Sequence, residues 1–205
     1  MVRGERYLPP VLATLFLMFF FWMSLHPVSR QVWIAETIPV LLVFLFLVGS
    51  YHWFRFSHAA YLLMSVWLVL HTIGGHYTFA QVPFGWVSDT FGFERNHFDR
   101  LGHFSIGFYA FAMAEWLLRK RLCGFKLAMA FSLCFIMSIA AASEIIEWWY
   151  AVADGGDAGI AFLGSQGDIW DAQKDMLADT LGALTALLLF WRLRPDRAEQ
   201  HDESD

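Results

Sequence analysis

The sequence predicts an all-α fold, a polytopic membrane bundle of about six transmembrane helices with both termini cytoplasmic. Three observations predict it. Of the 205 residues, 58% are apolar and 16% charged, against roughly 25% charge in an average soluble domain. Apolar stretches near the ~20 residues that a helix needs to cross hydrocarbon recur along nearly the whole chain. The basic residues gather in alternate connections. With 21 Phe and 10 Trp and a mean hydropathy of +0.47, disordered, collagenous and coiled-coil classes are excluded. A formal charge of -5 with scattered Lys and Arg leaves no basic surface for nucleic acid. The two cysteines cannot build a disulfide scaffold.

The apolar runs are Leu8–Leu25, Val32–Gly49, Ala59–His76, Gly102–Leu118, Phe125–Trp149 and Met176–Leu193. The first follows Arg3 and Arg6, but no small-x-small cleavage site follows Leu25, so it reads as a retained helix rather than a signal. Polar segments such as His26-Pro27-Val28-Ser29-Arg30 and Asp154-Gly155-Gly156-Asp157 read as loops. Gly74 and Gly75 are expected to loosen the end of the third run. Trp148, Trp149 and Tyr150 make an aromatic anchor at the outer end of the fifth. Asp168 fits the N-cap of the last helix and Asp171 its N3 position. Residues 1–193 thus form a single six-helix membrane domain, and 194–205 a polar cytoplasmic tail.

Orientation follows from the basic residues. One side collects Arg3, Arg6, Arg55, Arg119, Lys120, Arg121, Lys126, Arg192, Arg194 and Arg197; the other holds Arg30, Arg95, Arg100 and Lys174. That bias assigns the first side to the cytoplasm. Cys123 then falls in a cytoplasmic loop and Cys134 in mid-helix, both unbonded. His52, His58 and His201 fall on the cytoplasmic side as well, and Glu115 is the main charge of the inner half.

The acids concentrate in the outer half. Glu144 and Glu147 stand at i and i+3 on one helix, Asp175 and Asp179 at i and i+4 on another, and Asp99 and His103 at i and i+4 at the start of the fourth run. Such pairs share a helix face. Gly182 follows Asp179 on the same side and permits close approach of a neighbouring helix. A carboxylate within a span costs a few kcal/mol, so four together need compensation. The partners open to them are His103, Arg100, His71, His76, a divalent cation, a proton or a water-filled cavity. His103, Asp99, Glu144, Glu147, Asp175 and Asp179 are therefore the candidate catalytic residues. His103, Glu144, Asp175 and His76 are the candidate ligands of a divalent metal ion of unspecified identity.

The runs Gly74-Gly75-His76-Tyr77-Thr78-Phe79, Phe91 to Phe104 (FGFERNHFDRLGHF), Ser143-Glu144-Ile145-Ile146-Glu147-Trp148 and Gly164 to Met176 (GSQGDIWDAQKDM) resemble the YjdF-like family of bacterial inner-membrane proteins. The resemblance continues to Gly182 and implies an inner-membrane location. A more distant similarity is to VanZ-like membrane proteins, which have an Asp-Lys-x-x-His element, a Glu-x-x-Gln element and an Asp-x-x-x-Asn-x-x-Gly element. The matching residues here are Asp99, Arg100 and His103, then Glu144 and Glu147, then Asp175, Asp179 and Gly182. Arg100 replaces Lys, Glu147 replaces Gln and Asp179 replaces Asn. The glycopeptide resistance linked to one branch of that group is not implied.

Three functional readings stay open. One is an envelope enzyme carrying out metal-dependent hydrolysis or group transfer on a lipid-linked or envelope substrate, with Asp99 orienting His103 as general base or ligand. Against it, no serine or cysteine nucleophile motif is visible, and the ligand spacing matches no standard metal signature. The second is a proton- or cation-coupled transporter or channel. The third is a structural or assembly protein held together by a polar clamp. Membrane lipids are partners in each.

Overall fold

The computed structural model describes residues 7–198. Arg3, Arg6 and His201, which bear on the charge asymmetry and the tail, lie outside the described residues, as do the side chains of Asp154 and Arg197. All regular structure among the described residues is helical: α1 (Leu8–Met23), α2 (Arg30–Ser50), α3 (His58–Tyr77), α4 (Gly85–Phe91), α5 (Phe98–Ile106), α6 (Tyr109–Arg119), α7 (Phe125–Asp154), α8 (Asp157–Leu163), α9 (Asp171–Leu193) and α10 (Pro195–Ala198). Four helices are long and apolar enough to cross a membrane, Arg30–Ser50, His58–Tyr77, Phe125–Ala153 and Asp171–Leu193, and Leu8–Met23 is a shorter apolar helix.

Local chemistry accounts for the helix starts. Pro9 and Pro10 open α1, where a missing N–H costs nothing. Ser29 and Ser57 cap α2 and α3 by accepting from Val32 N and Ala60 N, as short hydroxyl side chains do best. The last helix departs from expectation. Its N-cap is Trp170 and Asp171 is its first residue, because the Asp168 carboxylate is already folded back onto Trp170 N. The connections also differ, since residues 85–91 and 157–163 coil into the short α4 and α8. Gly74 and Gly75 do not loosen α3, which continues to Tyr77. They make room instead: an added Cβ would meet the Phe79 ring at Gly74 and the Glu36 Cβ at Gly75.

The fourth apolar run is two helices, α5 and α6, joined by a tight turn. Phe108 N, Ala110 N and Phe111 N each reach back three residues, to Ser105, Gly107 and Phe108 oxygens, the hydrogen-bond pattern of a 3₁₀ turn. The turn sits where α5 presses on α9. A Cβ on Gly107 would collide with Ala183 N, and one on Gly182 with the Phe104 oxygen. Two glycines facing each other let the backbones touch. Below this crossing Phe111, Phe190, Met64 and Ile136 are fully buried, with Phe111 and Phe190 edge to face at 5.0 Å.

The elements turn back on one another so that their ends fall into two groups. At one end Glu115 is fully buried and accepts from Ser57 N, Ser57 Oγ and Arg119 Nη1, each at 2.7 Å, tying α6 to the start of α3. At the other end lie the start of α5, the start of α9 and the distal turns of α7. The α5–α9 contact is testable. Gly182→Ala is expected to lower the unfolding free energy in detergent by about 1–3 kcal/mol, whereas Gly49→Ala, with nothing within 4 Å of the added carbon, does not lower thermal stability.

Candidate functional site

The α5–α9 crossing sets the site. Counting back from Gly182 on α9 gives Asp179 and Asp175 on one face, and counting back from Gly107 on α5 gives His103, Arg100 and Asp99. These sets meet in two layers. In the outer layer Arg95 binds Asp99 and Asp171, and Arg100 binds Asp171 and Asp175. Asp168 lies 3.7 Å from Arg95, 3.6 Å from Arg100 and 2.6 Å from Lys174 Nζ. In the inner layer His103 Nδ1 lies 3.2 Å from Asp179 Oδ2, and Nε2 lies 3.6 Å from Asp175 Oδ1 and 4.0 Å from Glu144 Oε1. Asp175 Oδ1 joins the layers, since it also receives Arg100.

The charge of the two layers differs. Asp99, Asp168, Asp171 and Asp175 share the permanent cations of Arg95, Arg100 and Lys174. Among the described residues, Asp179 and Glu144 have only His103. Glu147, one turn along α7, lies within the electrostatic reach of Glu144, His103, Glu36 and Asp175. Glu144 Oε1 and Asp179 Oδ1 are buried without a hydrogen-bond partner, an arrangement that costs roughly 1–3 kcal/mol or more per group in a dry site. A cation or shared protons would answer that deficit.

The donor set fits a metal ion. One nitrogen of His103 and one oxygen each from Glu144 and Asp175 lie within 4.8 Å of one another. Ligands about 2.1 Å from a tetrahedral ion stand roughly 3.4 Å apart, close to the 3.6 Å between His103 Nε2 and Asp175 Oδ1. A proton on Nδ1 directed at Asp179 leaves the Nε2 lone pair facing Glu144 and Asp175, the carboxylate–histidine arrangement that orients a metal ligand. Asp99, Asp171 and Asp175 also converge, but Arg95 and Arg100 bind all three. In the first set Arg100 binds Asp175 alone, and His103 and Glu144 have no guanidinium among the described residues.

Two sequence expectations change here. Asp99 does not orient His103: it turns to Arg95 and Arg100 and accepts Arg100 N, and Asp179 takes its place. His76 is not part of the centre. Its Nδ1 bonds the Met23 oxygen at 2.6 Å and its own oxygen accepts Val28 N, which stitches the α1–α2 turn to α3. His71 pairs elsewhere too, with Glu36 at 3.0 Å.

Sequence reasoning missed Arg95, whose spacing of four residues from Asp99 was the available signal. It also missed Asn96 and Gln166. Asn96 N donates to Gln166 Oε1 and Gln166 Nε2 donates to the Asn96 oxygen, latching the loop before α9 to the loop before α5. That loop walls a cavity of about 350 Å³ whose lining includes Glu144, Asp168, Asp171, Ser165, Leu163 and Ile169. Outside the spans, the hydrogen bond from Lys174, then that from Trp170 N, holds the Asp168 carboxyl below its usual range. Burial, then the Arg95 charge, lowers His97.

The chain matches, over residues 8–196, the family described as "Predicted membrane protein (DUF2238)". It is similar to "Inner membrane protein YjdF" of Escherichia coli (strain K12), 36% identical over 167 residues that cover 80% of this chain and 79% of that protein. No solved structure matches it. By the extent of these matches the chain belongs to the DUF2238 family, and it is a membrane protein with several helical spans.

Two outcomes check the outer layer. Arg100→Ala strips Asp171 and Asp175 of a guanidinium and is expected to cost about 3–5 kcal/mol in detergent unfolding. Because the folded Asp168 pKa is depressed, its contribution is present above about pH 4 and is lost as pH falls through the folded value. Hydrogen exchange at the Trp170 amide, bonded to Asp168 Oδ1 at 3.0 Å, should accelerate in that acid window relative to a distant core amide. In Asp168→Asn this acid-specific acceleration disappears.

Proposed function

We propose that this member of the DUF2238 family crosses the bacterial inner membrane six times with both termini in the cytoplasm. On this reading α1, α2, α3, the α5–α6 pair, α7 and α9 are the spans. His103, Glu144 and Asp175 hold a divalent cation just beneath the extracytoplasmic headgroups, in a centre that serves hydrolysis or group transfer on a lipid-linked or envelope substrate. One observation carries this reading. The buried, unpartnered Glu144 Oε1 is directed with Asp175 Oδ1 at a histidine nitrogen whose partner nitrogen is fixed by Asp179.

Each residue then has a role. Asp179 sets the His103 tautomer, Glu144 and Asp175 supply oxygen ligands, and Asp99 with Arg95 and Arg100 fixes the helix starts that carry them. Glu147, beside Glu144 and without a permanent cation, is placed to take or return a proton. A bound divalent ion supplies Lewis-acid polarisation of a carbonyl or phosphoryl oxygen. The cavity over Glu144, Asp168 and Asp171 gives a substrate group access from the outer face.

A proton relay or ion pore needs polar groups or water along the whole crossing. The packed layer of Phe111, Phe190, Met64 and Ile136 lies between this centre and Glu115, which favours the reaction reading. The test is metal analysis of the purified protein together with reconstitution in sealed vesicles. The expected results are near-stoichiometric divalent metal, loss in His103→Ala and Glu144→Gln, and about 10–100-fold weaker binding in Asp179→Ala. Metal content unaltered by these variants while thermal stability drops contradicts the proposal. An ion flux abolished by Asp175→Asn contradicts the reaction in favour of transport.

A further inference from the structure

A second site lies at the opposite end of the bundle, in the groove between α1, α2 and α3. Its volume is about 410 Å³, in the range of small-molecule sites. Its wall is largely apolar and includes Leu12, Phe16, Leu17, Phe44, Leu45 and Leu68, with Phe16 and Phe44 in ring contact at 5.0 Å along it. Two of the wall's hydroxyls donate to backbone: Thr14 Oγ1 to the Pro10 oxygen and Ser65 Oγ to the Tyr61 oxygen. The interior therefore offers few free hydrogen bonds to a polar solute and suits a hydrocarbon chain.

The mouth of the groove is basic. Tyr51 and His52 line it, and the Arg55 guanidinium lies 4.9 Å over the Tyr51 ring. Lys120 Nζ sits 5.6 Å over the neighbouring Phe54 ring. Arg119 is neutralised by Glu115, but no described carboxylate forms an ion pair with Arg55 or Lys120. Aromatic faces hold these cations in place without cancelling their charge. Arg121 and Lys126 stand at the same end.

We propose that this groove binds one anionic phospholipid, an acyl chain between α1, α2 and α3 and the phosphate on Arg55 with His52 beside it. The charge chooses the occupant: a zwitterionic lipid brings its own cation to a rim that already has unpaired ones, whereas an anionic headgroup balances them. The site is independent of the outer centre and rests on none of its residues.

The experiment is native mass spectrometry of the full chain released from nanodiscs with equal phosphatidylglycerol and phosphatidylcholine. The wild type should retain one phosphatidylglycerol in preference to phosphatidylcholine. Arg55→Ala, a change at an exposed side chain, should reduce that preference roughly fivefold with unchanged thermal unfolding. Thr14→Trp, which fills the groove from α1, should reduce retention of both lipids. Equal retention of the two lipids by the wild type, an unchanged preference in Arg55→Ala, or undiminished retention in Thr14→Trp overturns the proposal.

Discussion

The backbone contact between α5 and α9 is the constraint on which the rest depends. Where Gly107 and Gly182 face each other the helices touch backbone to backbone, and no larger residue is compatible with that separation. His103 stands one helical turn before Gly107 on α5, and Asp179 stands one turn before Gly182 on α9. The crossing therefore brings the imidazole to the carboxylate at hydrogen-bond distance. The 3₁₀ turn at Phe108 is the local adjustment that lets α6 leave the crossing and return to the apolar core.

Charge in an apolar medium explains the layering. Each carboxylate near this end of the bundle must find a counter-charge, a donor or a proton. Arg95 and Arg100 satisfy those nearest the surface and also anchor the loop before α9, since Arg95 donates to the Ser165 oxygen. The deeper Asp179 and Glu144 lie beyond the guanidinium groups and, among the described residues, meet only the imidazole. The same logic operates between α2 and α3, where buried Glu36 lies against His71. It also operates at the far end, where Ser57 and Arg119 surround Glu115.

Periodicity made much of this legible. The i and i+4 spacing of Asp175 and Asp179, with Gly182 beyond, announced the polar face and the close helix contact. The i and i+3 spacing of Glu144 and Glu147 announced the face opposite. What periodicity cannot carry is choice between partners. Spacing offers His103 only Asp99 on its own helix face, and the decision falls to Arg95, which arrives from a loop and claims Asp99 while Asp179 comes from α9. His76 illustrates the reverse case: Gly74 and Gly75, expected to loosen the helix end, serve close packing, and the ring of this candidate ligand is consumed by a backbone oxygen. The break between α5 and α6 was hidden because hydropathy is continuous across Gly107.

Comparison of ends shows how one bundle hosts two kinds of polar chemistry. Among the described residues, Glu115 at one end is surrounded by donors while Arg55 and Lys120 have no ion-pair partner; at the His103 end Arg95 and Arg100 are ion-paired, and Glu144 Oε1 and Asp179 Oδ1 are carboxylate oxygens without a hydrogen-bond partner. The central claim is that Glu144 and Asp175 converge with one imidazole nitrogen of His103 on a single proposed cation. Electron spin-echo envelope measurements on Mn²⁺-loaded protein read that directly. The account predicts coupling to a histidine nitrogen that vanishes in His103→Ala and persists in His76→Ala. Bound Mn²⁺ with no nitrogen coupling, or coupling that survives in His103→Ala, contradicts it.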